Sequence, residues 1–146
     1  MKTLLTPVVA AALALASGYS SAQTVVGGCK IEPKASCPKA DLRRARLAGM
    51  DLSGADLSGA NLQEADLSGT KLVGSKLVGS DLDSANLARA DLSNSDLRNA
   101  NLLGIRSDGT VWSGANLSGA QWTAGRDNYG ALLGRRCAEG STGTCK

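Results

Sequence analysis

A leucine recurs at every fifth position from Leu42 to Leu102, and again at Leu117, with no change of phase. Trp112 and Trp122 fall on the same count and only Ser107 breaks it, so 17 consecutive pentads carry 14 Leu, two Trp and one Ser at their centres. A period of five suits neither regular element. At about 100° per residue on an α-helix, leucines five apart scatter around the cylinder instead of forming a stripe. On a strand, faces alternate with period two, and an odd spacing throws every second leucine to the wrong side. What buries them all is a short extended piece followed by a bend, repeated so that each bend turns the next leucine inward.

The neighbouring columns fit that unit. Two residues before each leucine the side chain is Ala in ten pentads and Ser or Thr in five; only Met50 and Ile105 are larger. Residues two apart on an extended segment share a face, so this column points inward beside the leucine. The residue between them is mostly Asp or Asn, as in Asp51, Asp56, Asn61, Asp66, Asp81 and Asn86, and must point outward. Two residues after the leucine, Gly fills ten of 17 positions and Asn94 and Asn99 two more. Both tolerate φ > 0, which a type II turn demands at its third residue. Bends of one sense give a coil, and stacked coils bury a continuous Leu/Ala column.

The runs Ala55-Asp56-Leu57-Ser58-Gly59 and Ala60-Asn61-Leu62-Gln63-Glu64 resemble the pentapeptide-repeat proteins, and the resemblance covers residues 40–124. It implies an all-β fold: a right-handed, quadrilateral parallel β-helix with four pentads per coil. Seventeen pentads then make about four coils, a solenoid roughly 20 Å long at the usual strand spacing.

Residues 1–22 read as a signal peptide: Lys2, a largely apolar run over Leu4–Ala16, and small residues at Ser20-Ser21-Ala22 before a cut ahead of Gln23. The run is too short to span a bilayer, which leaves no transmembrane segment in the mature chain. Residues 23–39 and 125–146 flank the repeats and are expected to cap them, because an open β-helix exposes strand edges and core at its ends. Each flank carries two cysteines, Cys29 and Cys37 before the repeats, Cys137 and Cys145 after them. An even count in an exported chain points to disulfides, with three pairings open. The solenoid separates the two clusters by its whole length, which favours Cys29–Cys37 and Cys137–Cys145. Without histidine or a C-x-x-C spacing, no metal site is expected. The C-terminal tail, Arg136-Cys137-Ala138-Glu139-Gly140-Ser141 with Gly143-Thr144-Cys145, resembles that of some exported bacterial members of the family, which names no activity.

Function is approached by exclusion. No histidine is available for general-base work, and the aspartates belong to an exposed polar column. Neither an enzyme nor a cofactor is expected. The resemblance also implies an alternative, mimicry of duplex DNA by members that inhibit a type II topoisomerase, which needs a dense anionic surface. Residues 40–124 hold eight basic and ten acidic side chains. Four pentads per coil would set Lys71 between Asp51 and Asp91, and Lys76 between Asp56 and Asp96, which breaks up any acidic strip. The same register brings Trp112 and Trp122 from opposite walls into one cross-section, where Ser107 would relieve the crowding. The expected role is a secreted or periplasmic scaffold, its partner an unidentified protein or envelope component and not nucleic acid. Lys39, Arg43, Arg44 and Arg46, clustered at the start of the repeats, are the candidate contact for an anionic partner.

Overall fold

The computed structural model describes residues 24–122 and the backbone pairing of Arg135–Arg136. Four pentads make one coil. Bridges run parallel with a uniform offset of 20 residues, from Ser36↔Asp56 and Asp41↔Asn61 through to Asp96↔Asn116. The leucine column fills the lumen, and Leu47 through Leu102 and Leu117 are fully buried.

One pentad shows how the backbone is satisfied. Leu57 N–H donates to Lys76 O of the next coil at 2.8 Å, and Gly59 N–H to Val78 O at 2.9 Å. Asp56 N–H points the other way, to Ala35 O at 2.8 Å, and Ala60 N–H closes the turn on Leu57 O at 3.0 Å. The remaining donor, Ser58 N–H, reaches the Asp56 carboxylate at 3.0 Å. Every donor of the unit is used. The last bond explains the Asp/Asn column, because only a side chain of that length folds back onto the N–H two residues on. It recurs at Asp51, Asn61, Asp66, Asp81, Asn86, Asp91 and Asn101.

The corner residue has positive φ throughout, as a type II turn requires. Glycine is not obligatory there: Arg44, Glu64, Ser84 and Arg89 adopt φ of 56°, 55°, 58° and 59°. Where the inward Ala becomes Ser or Thr, the hydroxyl bonds a leucine carbonyl, as Ser75 does to Leu72 O and Thr70 to Leu47 O, both at 2.7 Å.

The ladder reaches further toward the N-terminus than the leucines do. Ala35-Ser36-Cys37-Pro38-Lys39 makes the same bonds to the next coil, with Cys37 buried in the leucine position. Cys37 is bridged to Cys29, their Cα atoms 5.4 Å apart. Cys29 lies in a hairpin of β1 (Val25–Val26) and β2 (Cys29–Lys30), turned by Gly27 and Gly28 at φ 56° and 76°. Two positive φ values make the tight turn that matches strand twist. Gly27 lies so close to the Asp41 carbonyl that a Cβ would collide with it, so the hairpin covers the open edge there.

At the other end, β3 (Asn101–Leu102) pairs parallel with β4 (Gln121–Trp122), and β5 (Arg135–Arg136) pairs antiparallel with β4. Trp112 and Trp122 meet in the lumen, ring centroids 5.0 Å apart and tilted by 60°. The expected signal peptide at residues 1–22 and the expected Cys137–Cys145 pair lie outside the described residues.

Candidate functional site

Charge is distributed unevenly along the coil. The first coil, residues 35–54, carries Lys39, Arg43, Arg44 and Arg46 against Asp41 and Asp51. The next, residues 55–74, carries Asp56, Glu64 and Asp66 against Lys71, and the third Asp81, Asp83 and Asp91 against Lys76 and Arg89. A basic rim therefore sits on a mildly acidic body.

The four sequence-predicted rim residues are all exposed on this coil, but they are not equivalent. Arg43 is tied to Asp41 in its own pentad, Nε to Oδ1 at 2.9 Å and Nη2 to Oδ2 at 2.7 Å. Arg44 crosses one coil to Glu64, with contacts of 2.9 and 3.2 Å. The hydrogen bonds from Arg43 and Arg44 hold the Asp41 and Glu64 carboxyls below their ordinary values and raise both guanidiniums. Lys39 occupies a corner at φ 58°, its stem packed beside Gly59. Arg46 stands over Asp66, whose carboxylate already accepts the Ser68 N–H and hydroxyl and the Asn86 amide. Neither Lys39 nor Arg46 has an ion-pair partner among the described residues. Sequence reasoning overlooked two contributors. Lys34 takes a rim corner at φ 62°, and Glu64 takes up the charge of Arg44; the 20-residue offset is the signal that pairs Arg44 with Glu64.

A groove of about 450 Å³ runs beside this corner, lined by Asp41, Arg43, Arg44, Gln63 and Glu64. Gln63 ties it onward to Asp81 at 2.7 Å. Its walls are salt-linked and exposed, suited to meeting a charged surface rather than enclosing a substrate. Each carboxylate with a shifted pKa among the described residues is shifted down, Asp66 first by its Ser68 hydrogen bond and Asp96 by Arg98. A general acid at neutral pH needs the opposite shift. No cluster of metal-ligating side chains occurs among the described residues, and no helix there is long and apolar enough to cross a membrane.

The outward columns avoid stacked carboxylates on all four faces. One reads Asp41, Asn61, Asp81, Asn101; the next Arg46, Asp66, Asn86, Arg106; the third Asp51, Lys71, Asp91, Val111; the last Asp56, Lys76, Asp96, Asn116. Amides bond across the rungs, Asn86 to Asp66 at 3.1 Å and Asn101 to Asp81 at 2.9 Å. Lys71 and Lys76 act only through space: neither lies within 4 Å of a carboxylate among the described residues, though both draw their neighbouring aspartates slightly down. Val73 and Val78, which follow these lysines on the outer face, are half-buried.

The family model described as "Pentapeptide repeats" matches in 8 copies over residues 40–77 and 71–104. A pentapeptide repeat protein from Nostoc Pcc 7120 is 40% identical with a TM-score of 0.54, over 55% of this chain and 66% of that one. HetL, a pentapeptide repeat protein involved in heterocyst differentiation regulation from Nostoc sp. strain PCC 7120, is 33% identical with a TM-score of 0.32, over 61% and 47%. A pentapeptide repeat protein from the Arabidopsis thaliana thylakoid lumen is 31% identical with a TM-score of 0.24, over 57% and 69%. The chain thus spans less than two thirds of the two Nostoc proteins. No curated protein matches it.

Proposed function

Because this chain belongs to the pentapeptide-repeat family, whose fold is the right-handed quadrilateral β-helix, we propose that it works without catalysis as an exported interaction scaffold. Its contact end is the basic first coil. The observation that carries this reading is the concentration of Lys34, Lys39, Arg43, Arg44 and Arg46 on one end of a body whose remaining faces alternate in charge. A packed lumen leaves the outer surface as the place for recognition, and a basic rim draws an anionic partner.

Export is supported by the leader-like residues 1–22 and by the Cys29–Cys37 bridge, a bond that persists in oxidising compartments. The alternation of charge counts against DNA mimicry. Carboxylates on one face recur only every second coil, about 9.6 Å apart, with an amide or a cation between them.

Intact mass from fractionated cells, after alkylating free thiols without reduction, tests the reading. The expected species begins near Gln23, lies outside the cytoplasm and carries no alkylated cysteine. A full-length cytoplasmic species with alkylated thiols would overturn export. Charge reversal of Arg43, Arg44 and Arg46 that leaves envelope association intact would remove the rim as contact.

A further inference from the structure

The rung of Arg46 differs from every rung below it on the same face. Further down, the residue in its place gives its N–H to the preceding coil: Asp66 to Ala45 O, Asn86 to Ala65 O and Arg106 to Ala85 O, each at 2.9 Å. Its carbonyl, and that of the residue two further on, accept in turn: Asp66 O from Leu47 at 2.9 Å and Ser68 O from Gly49 at 2.8 Å. Among the described residues, nothing plays these parts for Arg46 N–H, Arg46 O or Ala48 O. The hairpin covers the Asp41 carbonyl on the neighbouring face and stops there. Arg46 and Ala48 are both exposed, and the Arg46 guanidinium has no carboxylate within 4 Å among the described residues. One residue thus offers an unpaired strand edge and an unpaired cation together.

We propose that the Arg46 rung is a strand-addition site for an extended acidic segment of another protein. The segment pairs with the Arg46 and Ala48 backbone and sets a carboxylate on the Arg46 guanidinium. The molecule already closes its other end this way, where β5 adds antiparallel to β4. Charge selects the occupant. A second copy meeting this edge head to head would bring Arg43, Arg44 and Arg46 against their own counterparts, and like charges that close repel. Arg43 and Arg44 keep their own carboxylates and add only to the field that draws the segment in. The inference rests on the first coil being the contact end and specifies what it takes.

The test uses the purified full-length protein with three octapeptides: alternating Thr and Glu, the same with every residue N-methylated, and alternating Thr and Lys. The Arg46 amide should exchange freely in the protein alone and slow by at least about tenfold when the Thr–Glu peptide is bound. The N-methylated and Lys peptides should bind at least about tenfold more weakly, and Arg46→Gln, checked for an unchanged Tm, should lose roughly tenfold for the Thr–Glu peptide. An Arg46 amide already protected in the protein alone would overturn the proposal, because the chain's own residues then hold the edge. Equal binding of the two acidic peptides would overturn strand addition and leave the rim as a plain anionic contact. Binding of neither would remove both readings.

Discussion

Among the described residues, the coil carries a covalent staple at its N-terminal end and aromatic rings at its C-terminal end. At the first end the leucine position passes to Cys37, small and buried, which is tied to a hairpin that folds back over one edge. At the last end the lumen receives two tryptophans at 5.0 Å, and a short strand takes up the edge of the final rung. Both ends face one problem, a column of leucine that stops and an edge that would otherwise recruit another chain. A small plug is held to its cover by a crosslink; among the described residues, bulky rings occupy the lumen at the other end. Among the described residues, the difference places a basic, partly open edge at the N-terminal end and an apolar ring pair with a paired last strand at the C-terminal end.

The body between them should be the most sensitive part, since neither cap can compensate for it. Leu77→Asp buries a charge with no partner midway along the column and should cost several kcal/mol. Ser58→Asp, half-buried on the outside of the preceding coil, loses the Ser58 hydrogen bond to Asp56 and adds a like charge beside it, and should still cost only about 1 kcal/mol. If both changes proved equally harmless in chemical denaturation, the inward and outward columns would be misassigned.

Removing the staple comes next. Cys29→Ser with Cys37→Ser should cost about 2–3 kcal/mol, the value for a short closed loop. Hydrogen exchange should quicken first in residues 35–54, while the emission of Trp112 and Trp122 holds. A simultaneous change in tryptophan emission would mean that the two ends are not independent. The matching insult at the other end is Ser107→Leu, which adds bulk to a half-buried position on the wall between Trp112 and Trp122 and should cost about 1–2 kcal/mol by overpacking. A stabilised variant would show that the ring pair leaves space.

Acid should weaken the body. A carboxylate whose folded pKa is depressed stabilises the fold fully above its unfolded pKa, and that contribution fades as pH falls through the folded value. Asp56, Asp66, Asp91 and Asp96 are such groups, held down first by side-chain hydrogen bonds from Ser58, Ser68, Ser93 and Arg98. With no histidine in the chain, Tm should stay level from about pH 5 to 8 and decline below about pH 4. A maximum near pH 4 would contradict these hydrogen bonds.

How far the sequence carries depends on whether a residue acts through its column or through its own contacts. Leu77, Ala55 and Gly59 were legible because period five fixes which way each column points and what φ its corner needs. The four-pentad coil, which the period alone leaves open, came with the family resemblance, and the uniform 20-residue offset bears it out. Asp56 was legible as outward but not as the acceptor for Ser58 N–H, since that requires seeing which donor the ladder leaves over. Arg44 read as a free basic residue; only the coil register places Glu64 beneath it. Cys37 was missed as a core residue because its pentad lacks the leucine that defines the count.

The smallest effect tests the alternation of charge along the body. Lys71→Asp places three carboxylates in one stack with Asp51 and Asp91, where like charges directly opposite repel. The new side chain also gains something, because an aspartate there can accept the Val73 N–H, as Asp91 accepts that of Ser93. Lys71→Asn gains that bond without the charge, though its amide can also reach a stacked aspartate as Asn86 reaches Asp66, so the salt dependence of the difference isolates the repulsion. Lys71→Asp should have the lower Tm by a margin smaller than any effect above, and the gap should close as salt rises from about 20 mM to about 0.5 M. A gap that persists in high salt would mean that hydrogen bonds from the new amide to its stacked aspartates, and not repulsion, separate the two variants. Alternation along that face would then be a matter of hydrogen bonding, and the contrast between a basic end and a neutralised body would lose one of its two legs.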